Sequence, residues 1–281
     1  MRVLIVGFGY VGQALGRELA ARGDQVLGIR RSVGEAMPGV EQCALDATQP
    51  GAFEALPGDF DAVVYAVAPG ERSDAAYLSG YVTGLTELSG SGWVRRTEPR
   101  IIFISSTAVY AESDGGWVDE TSALTTDVFS ARRLIEAEQL LLASGLPGVV
   151  VRLAGIYGPG RTRFVSSVLR GEVPGDDAVP RYMNRIHRDD CVGALLHLLD
   201  LPEPEALYLG VDDEPASRNS VVGWLRQNLG TQSNRVPAPG RGGSSREVGN
   251  KRCSNKKLRD SGYVFRFPSF REGYASLAPE C

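Results

Sequence analysis

The stretch Arg2–Gly16, "RVLIVGFGYVGQALG", decides the fold. The run Val3–Val6 is apolar throughout, as a strand buried on both faces of a sheet must be. Glycines follow at positions 7, 9, 12 and 16, and the apolar spacing then turns helical to about Arg22. A strand that passes through G-x-G-x-x-G into a helix builds a particular corner. The first glycine permits the tight turn, the second lets backbone approach a pyrophosphate, and the third lets helix and strand close up. Free N–H groups and the positive end of the helix dipole then favour an anion. The stretch reads as a nucleotide-binding loop, with Gly7, Gly9, Tyr10, Val11 and Gly12 against the nucleotide. The plainer alternative is a set of small residues that only packs a helix on a strand.

Outward from this corner the rhythm repeats. Further strands are expected at Gln25–Ile29, Gln42–Leu45, Ala62–Ala66, Arg100–Ser105 and Gly148–Leu153. Helical patterns fall at Val11–Arg22, Gly51–Leu56, Asp74–Leu88, Ser130–Ser144 and Asp189–Leu199. Buried-type strands each followed by a crossover helix predict an α/β fold with a doubly wound parallel (Rossmann) sheet. Its ligand crevice lies at the C-terminal ends of the strands. After about Arg161 the rhythm breaks into turn-rich sequence, which predicts a small C-terminal α/β lobe for substrate. Residues 1–160 are expected to form the nucleotide-binding domain, completed by about 184–212, with 161–183 and 213–281 in the lobe.

Composition narrows the classes of function. The 281 residues carry a formal charge of −4, which gives no bulk attraction to nucleic acid or anionic membrane. No apolar run approaches the roughly 20 residues that span a bilayer, and the N-terminal apolar residues read as a strand rather than a cleaved leader. Cys43, Cys191, Cys253 and Cys281 show no CxxC spacing, which fits a reducing cytoplasm. With two histidines no metal site is expected. Arg235–Arg259 holds eight basic residues against Glu247 alone. It reads as a solvated face or, more sharply, as a patch meeting a phosphate-bearing substrate.

Nucleotide choice is read at the end of the second strand. There "VLGIRRS" supplies Arg30 and Arg31 and no carboxylate. An acid would accept from a ribose 2′-hydroxyl and repel a 2′-phosphate, whereas guanidinium groups hold the phosphate. The expected cofactor is NADP, with NAD the alternative. Asp46 is placed either to accept from an adenine amino group or to form a strand-end turn.

Four further segments carry a resemblance. "FISSTAVY" (103–110), "VRLAGIYGPGR" (151–161), "NRIHRDDCVGALLHLL" (184–199) and "LYLGVDDEPAS" (207–217) resemble, in order, motifs of the extended short-chain dehydrogenase/reductases. That superfamily includes the NAD(P)-dependent nucleotide-sugar epimerases and dehydratases. The resemblance implies a catalytic tyrosine, a lysine four residues later that lowers its pKa, and a Ser or Thr ending strand five. Ser106 stands in the last position. The helix after strand five, "TDVFSARRLIEAEQLLL", has neither Tyr nor Lys. Anchoring on Glu138 puts Ser130 and Leu134 in the two places; a shift of one gives Phe129 and Arg133. On either register the usual acid/base is missing, as in atypical members of the superfamily.

Three readings stay open. Another residue supplies the proton, with Tyr110, Tyr157, Tyr77 and Tyr81 as candidates; or substrate or water supplies it; or the chain binds NADP(H) without turnover, as a redox sensor. Arg152 and Arg161 flank a loop expected near the crevice mouth, and Arg161 or Arg163 is placed either to meet a diphosphate or to lie in solvent. His187, beside Asp189 and Asp190, is expected to link the lobes by hydrogen bonds, and His197 to be an ordinary helix residue. The resulting expectation is an atypical epimerase/dehydratase-like oxidoreductase or isomerase. Its substrate is a nucleotide-sugar or similar polar metabolite, and homodimerisation is left open.

Overall fold

The computed structural model describes residues 1–229 and 249–277, so Cys281 and the part of the basic stretch before Gly249 lie outside the described residues. In chain order the strands are β1 Arg2–Val6, β2 Gln25–Arg30, β3 Val40–Ala44, β4 Ala62–Tyr65, β5 Arg100–Ser106, β6 Trp117–Val118, β7 Gly148–Leu153, β8 Gly155–Tyr157, β9 Tyr182–Met183, β10 Arg185–His187, β11 Leu207–Gly210, β12 Ala216–Ser217 and β13 Arg252–Cys253. The helices are α1 Tyr10–Ala21, α2 Asp74–Tyr77, α3 Gly84–Gly90, α4 Gly92–Thr97, α5 Phe129–Ala143, α6 Arg163–Leu169, α7 Arg188–Asp200, α8 Arg218–Leu229, α9 Lys256–Asp260 and α10 Phe270–Ala275. A π-helical turn, Leu78–Thr83, joins α2 to α3, and a 3-10 turn, Thr107–Val109, follows β5.

Seven strands form one sheet in the order β11-β7-β5-β4-β1-β2-β3. β1 pairs in parallel with both β2 and β4, and β2–β3 and β4–β5 are parallel as well. The chain winds outward from β1 through β2 to β3, then returns to the far side of β1 and winds the other way. This is the expected doubly wound α/β sheet, and its switch point lies between β1 and β4. Val3, Leu4, Ile5 and Val6 have no exposed surface, which is why that run carries no polar residue.

Three local expectations are corrected. Gly51–Leu56 is a chain of tight turns and not a helix, because Gly51 sits at φ +69 and the bonds run Ala52 to Gln49, Glu54 to Gly51 and Leu56 to Phe53. β3 lies earlier than expected: only its β2 side is paired, so its half-exposed residues carry a weak apolar signal. The helix expected over Asp74–Leu88 is not one regular α-helix: it runs on through the π-helical turn at Leu78–Thr83. The buried Tyr65 hydroxyl donates to the Gly80 carbonyl at 2.7 Å, and Gly84 leaves room for it, since a Cβ there would stand 2.1 Å from that oxygen.

The chain divides into two compact units, each assembled from separated stretches. The first comprises Met1–Val109, Thr125–Arg152 and Val192–Tyr208; the second comprises Tyr110–Leu124, Leu153–Cys191 and Leu209–Cys281. The second unit has its own core, in which Tyr157, Val165, Val222, Leu225, Phe270 and Tyr274 pack together. Among the described residues no helix is long and apolar enough to cross a membrane.

Candidate functional site

The corner after β1 has the geometry its glycines predict. Gly7 adopts φ +92, and a Cβ there would lie 2.6 Å from the Ala66 carbonyl and the Val67 nitrogen, just past β4. Only glycine fits both the dihedral and the approach. The N–H groups of Gly7 and Phe8 donate to the Ile29 carbonyl at 3.0 and 2.9 Å, fixing the turn to the end of β2. Gly9 is the N-cap of α1 and faces open space: a Cβ would meet nothing within 4 Å. No side chain caps this helix and its first turn holds no acid, so nothing competes there for an anion. Gly12 lets α1 close on β1, since a Cβ would come within 2.7 Å of the Gly7 oxygen. Gly16 has a different task. With Gly28 it makes room for the buried Phe8 ring, which a Cβ at either position would overlap at 2.7 or 2.4 Å.

Arg30 closes β2, half-buried, with its guanidinium beside Gly34. Arg31 is exposed and its guanidinium lies over Gly70, in the segment after β4. Among the described residues neither side chain has a hydrogen bond or an ion pair, so both charges remain available. Asp46 forms the strand-end turn: Thr48 donates to its Oδ1 through both N–H, at 3.0 Å, and hydroxyl, at 2.8 Å. Those bonds, with Arg31 nearby, hold its carboxyl below the usual range.

Ser106 is the last residue of β5 and half-buried. Its Oγ accepts from the Ala108 N–H at 3.2 Å, and among the described residues no acceptor takes its own hydrogen. α5 begins at Phe129, so Phe129 and Arg133 sit one turn apart at its start. Arg133 donates from Nε and Nη2 to the two carboxylate oxygens of Asp74, at 2.8 and 2.9 Å, and from Nη1 to Glu136 at 2.8 Å. The Phe129 ring stands edge-on to Tyr77, with centroids 5.4 Å apart; Tyr77 meets Tyr81 at the same distance, and Tyr81 meets Phe103 at 6.0 Å. Of the other register, Leu134 is buried in the core and Ser130 is half-buried.

Arg152, at the flank of its loop, is not a solvent-facing charge. It lies buried in β7 and donates from Nε to Glu138 Oε1 at 3.0 Å and from Nη2 to Oε2 at 2.6 Å. Ser105 donates to the same Oε1 at 2.5 Å. Glu138 is thus the buried tie between α5, β5 and β7.

In the second unit Tyr110 and Tyr157 are 2% and 3% exposed. Tyr110 bridges to Leu124; Tyr157 pairs across β8 and β10 with His187 and packs on Tyr274 at 4.5 Å. Arg161 and Arg163 are exposed at the start of α6. His187 is buried, its Nδ1 accepts from the Asp189 N–H at 3.2 Å, and burial lowers its pKa. The ring is therefore neutral, with its proton on Nε2. Asp190, also buried, accepts from Tyr263 Oη and from the Arg266 and Phe267 N–H groups at 2.9, 2.7 and 2.9 Å.

Asp212 escapes sequence reading, because nothing local in "GVDDEP" marks it as buried. It is 1% exposed, and burial pushes its carboxyl up to about 8. Between about pH 4 and pH 8 the folded chain therefore holds a proton that the unfolded chain releases, so this residue's contribution to stability falls as pH rises through that window. Denaturant titrations of wild type and Asp212→Asn should converge near pH 4. They should diverge by about 1 kcal/mol or more in favour of the variant near pH 8. A difference independent of pH would show that the carboxyl titrates normally.

With this geometry in place, the chain can be set beside known proteins. The profile of the NAD dependent epimerase/dehydratase family matches residues 3–210. Protein YeeZ from Escherichia coli is 32% identical over 247 residues, covering 82% of this chain and 85% of that protein. A Methylobacillus flagellatus structure classed with the NAD-dependent epimerases/dehydratases is 31% identical, with TM-score 0.79 over 99% of this chain and 98% of that one. Human SDR39U1, solved with NADPH, shares the fold at 20% identity, with TM-score 0.72 and full coverage of both chains. The nucleotide loop, the doubly wound sheet and these matches lead to one assignment: the chain belongs to the NAD-dependent epimerase/dehydratase family.

Proposed function

We propose that this chain binds NADP(H) and transfers hydride to or from a carbonyl or carbinol carbon of a polar metabolite, a nucleotide-sugar being the class that fits best. The observation that carries the reading is the pairing of an open, uncapped loop at Gly7–Gly12 with two uncommitted guanidinium groups at the end of β2. Gly7, Gly9, Tyr10, Val11 and Gly12 would hold the pyrophosphate, Arg30 and Arg31 the 2′-phosphate, and Asp46 Oδ2 the adenine edge. The nicotinamide supplies or accepts hydride. Ser106, whose hydroxyl hydrogen is uncommitted, would donate to the substrate oxygen as charge develops there. Substrate recognition falls to the second unit, where Arg161 and Arg163 present exposed charge suited to a diphosphate. The human structure solved with NADPH supports the cofactor, and the family supports the chemistry.

A second reading, a redox sensor that binds NADP(H) without turnover, is favoured by one observation: on either register the segment "TDVFSARRLIEAEQLLL" lacks the usual Tyr and Lys. NADPH oxidation followed by absorbance separates the two, using carbonyl compounds that include keto-sugar nucleotides. Turnover that falls in Ser106→Ala supports the enzyme. Tight NADPH binding with no turnover on any of them supports the sensor.

A further inference from the structure

We propose that Tyr77 is the acid/base of this chain, an assignment that rests on the hydride-transfer reading above. Phe129 and Arg133 keep the spacing but not the chemistry, and both are turned onto α2. Phe129 packs edge-on against Tyr77 at 5.4 Å, while Arg133 grips Asp74, three residues before Tyr77, with two bonds. In the register that puts Phe129 and Arg133 in the acid/base places, those two positions here fix the short helix that ends in a phenol.

That phenol is poised for the task. Tyr77 is half-buried, and among the described residues its hydroxyl has no hydrogen-bond partner. The other tyrosines are placed differently. Tyr65 donates to Gly80, Tyr110 and Tyr157 are buried, and burial pushes the Tyr81 phenol up, where it resists ionisation. Tyr77 also ends α2 immediately before the π-helical turn, a device that recurs at functional sites. The turn lies against the segment that follows β4. A Cβ on Gly80 would touch Val67 and Pro69, and the segment they belong to closes on Gly7 through Ala66 and Val67. Tyr77 thus stands on the same unit as the proposed nucleotide loop.

In the reductive direction hydride reaches the carbonyl carbon and the C=O π pair moves to oxygen. The Tyr77 O–H bond breaks, its proton passes to that oxygen, and water reprotonates the phenolate. One hydride and one proton are consumed for each carbinol formed; the reverse sequence takes the proton from the carbinol.

The test uses the full chain and NADPH with an active carbonyl substrate. Tyr77→Phe keeps the ring that packs on Phe129, so NADPH affinity should stay within about twofold while kcat falls about 100-fold or more. The pH-dependent limb of kcat should vanish with it. Adding Phe129→Tyr to Tyr77→Phe, which restores a phenol beside the lost one, should recover kcat by about tenfold or more. Unchanged kcat in Tyr77→Phe, a loss that appears only in Tyr81→Phe, or a loss that tracks weakened NADPH binding would each overturn the assignment while leaving the hydride-transfer reading intact. A wild-type chain that binds NADPH but turns over no carbonyl compound would overturn that reading and the assignment together.

Discussion

Replacing Glu138 with alanine lowers the stability of the folded chain by about 3–5 kcal/mol. The carboxylate and the Arg152 guanidinium are 5% and 4% exposed, so each has surrendered its water for the other. Truncation leaves a buried cation without its counter-charge and removes the acceptor of the Ser105 hydroxyl. Removing both charges is a different experiment. Glu138→Leu with Arg152→Met replaces the pair by apolar groups of similar size and should recover most of the loss, because no charge is then taken out of water. Urea unfolding of the single and double variants checks both statements. A Glu138→Ala penalty under about 1 kcal/mol would mean that Arg152 finds another partner or water.

Gly7→Ala should weaken NADPH binding by about 100-fold or more and destabilise the chain by about 1–3 kcal/mol. The new Cβ meets three backbone atoms of Ala66 and Val67 at 2.6 Å, and the residue must hold φ +92. Strand ends cannot yield as a side chain can, so the loop itself must move. Gly9→Ala separates packing from approach. Its Cβ touches nothing in the protein, so thermal stability without cofactor should stay within a few degrees of wild type, while NADPH affinity drops because the methyl group fills the ligand's space. Equal loss of stability in both variants would show that Gly9 is a packing residue too.

The sequence foretold the parts that depend on repetition. Buried strands such as Val3–Val6 and Val149–Val151 announce themselves as unbroken apolar runs, and β7 begins and ends where expected. The glycines at 7, 9 and 12 were legible because each backbone demand excludes other residues. What stayed hidden depends on partners distant in the chain. The π-helical turn after Asp74 is set by a tyrosine on β4, and the Arg133 pairing by an acid 59 residues away. Arg152 reads as a loop-flanking charge until its partner on α5 is seen. Asp212 carries no local sign that it is buried. Gly16 makes room for the Phe8 ring, a role visible only once Gly28 lies opposite.

The central claim is that Gly7–Gly12 with Arg30 and Arg31 holds NADP(H). Fluorescence titration with NADPH and NADH, on wild type and on the Arg30→Ala, Arg31→Ala double variant, tests it most directly. Wild type should prefer NADPH by about tenfold or more, the scale of a charge-assisted phosphate contact. In the double variant that preference should be lost, with NADH affinity little changed. Equal affinity for the two cofactors in wild type, or a preference that survives removal of both arginines, would contradict it.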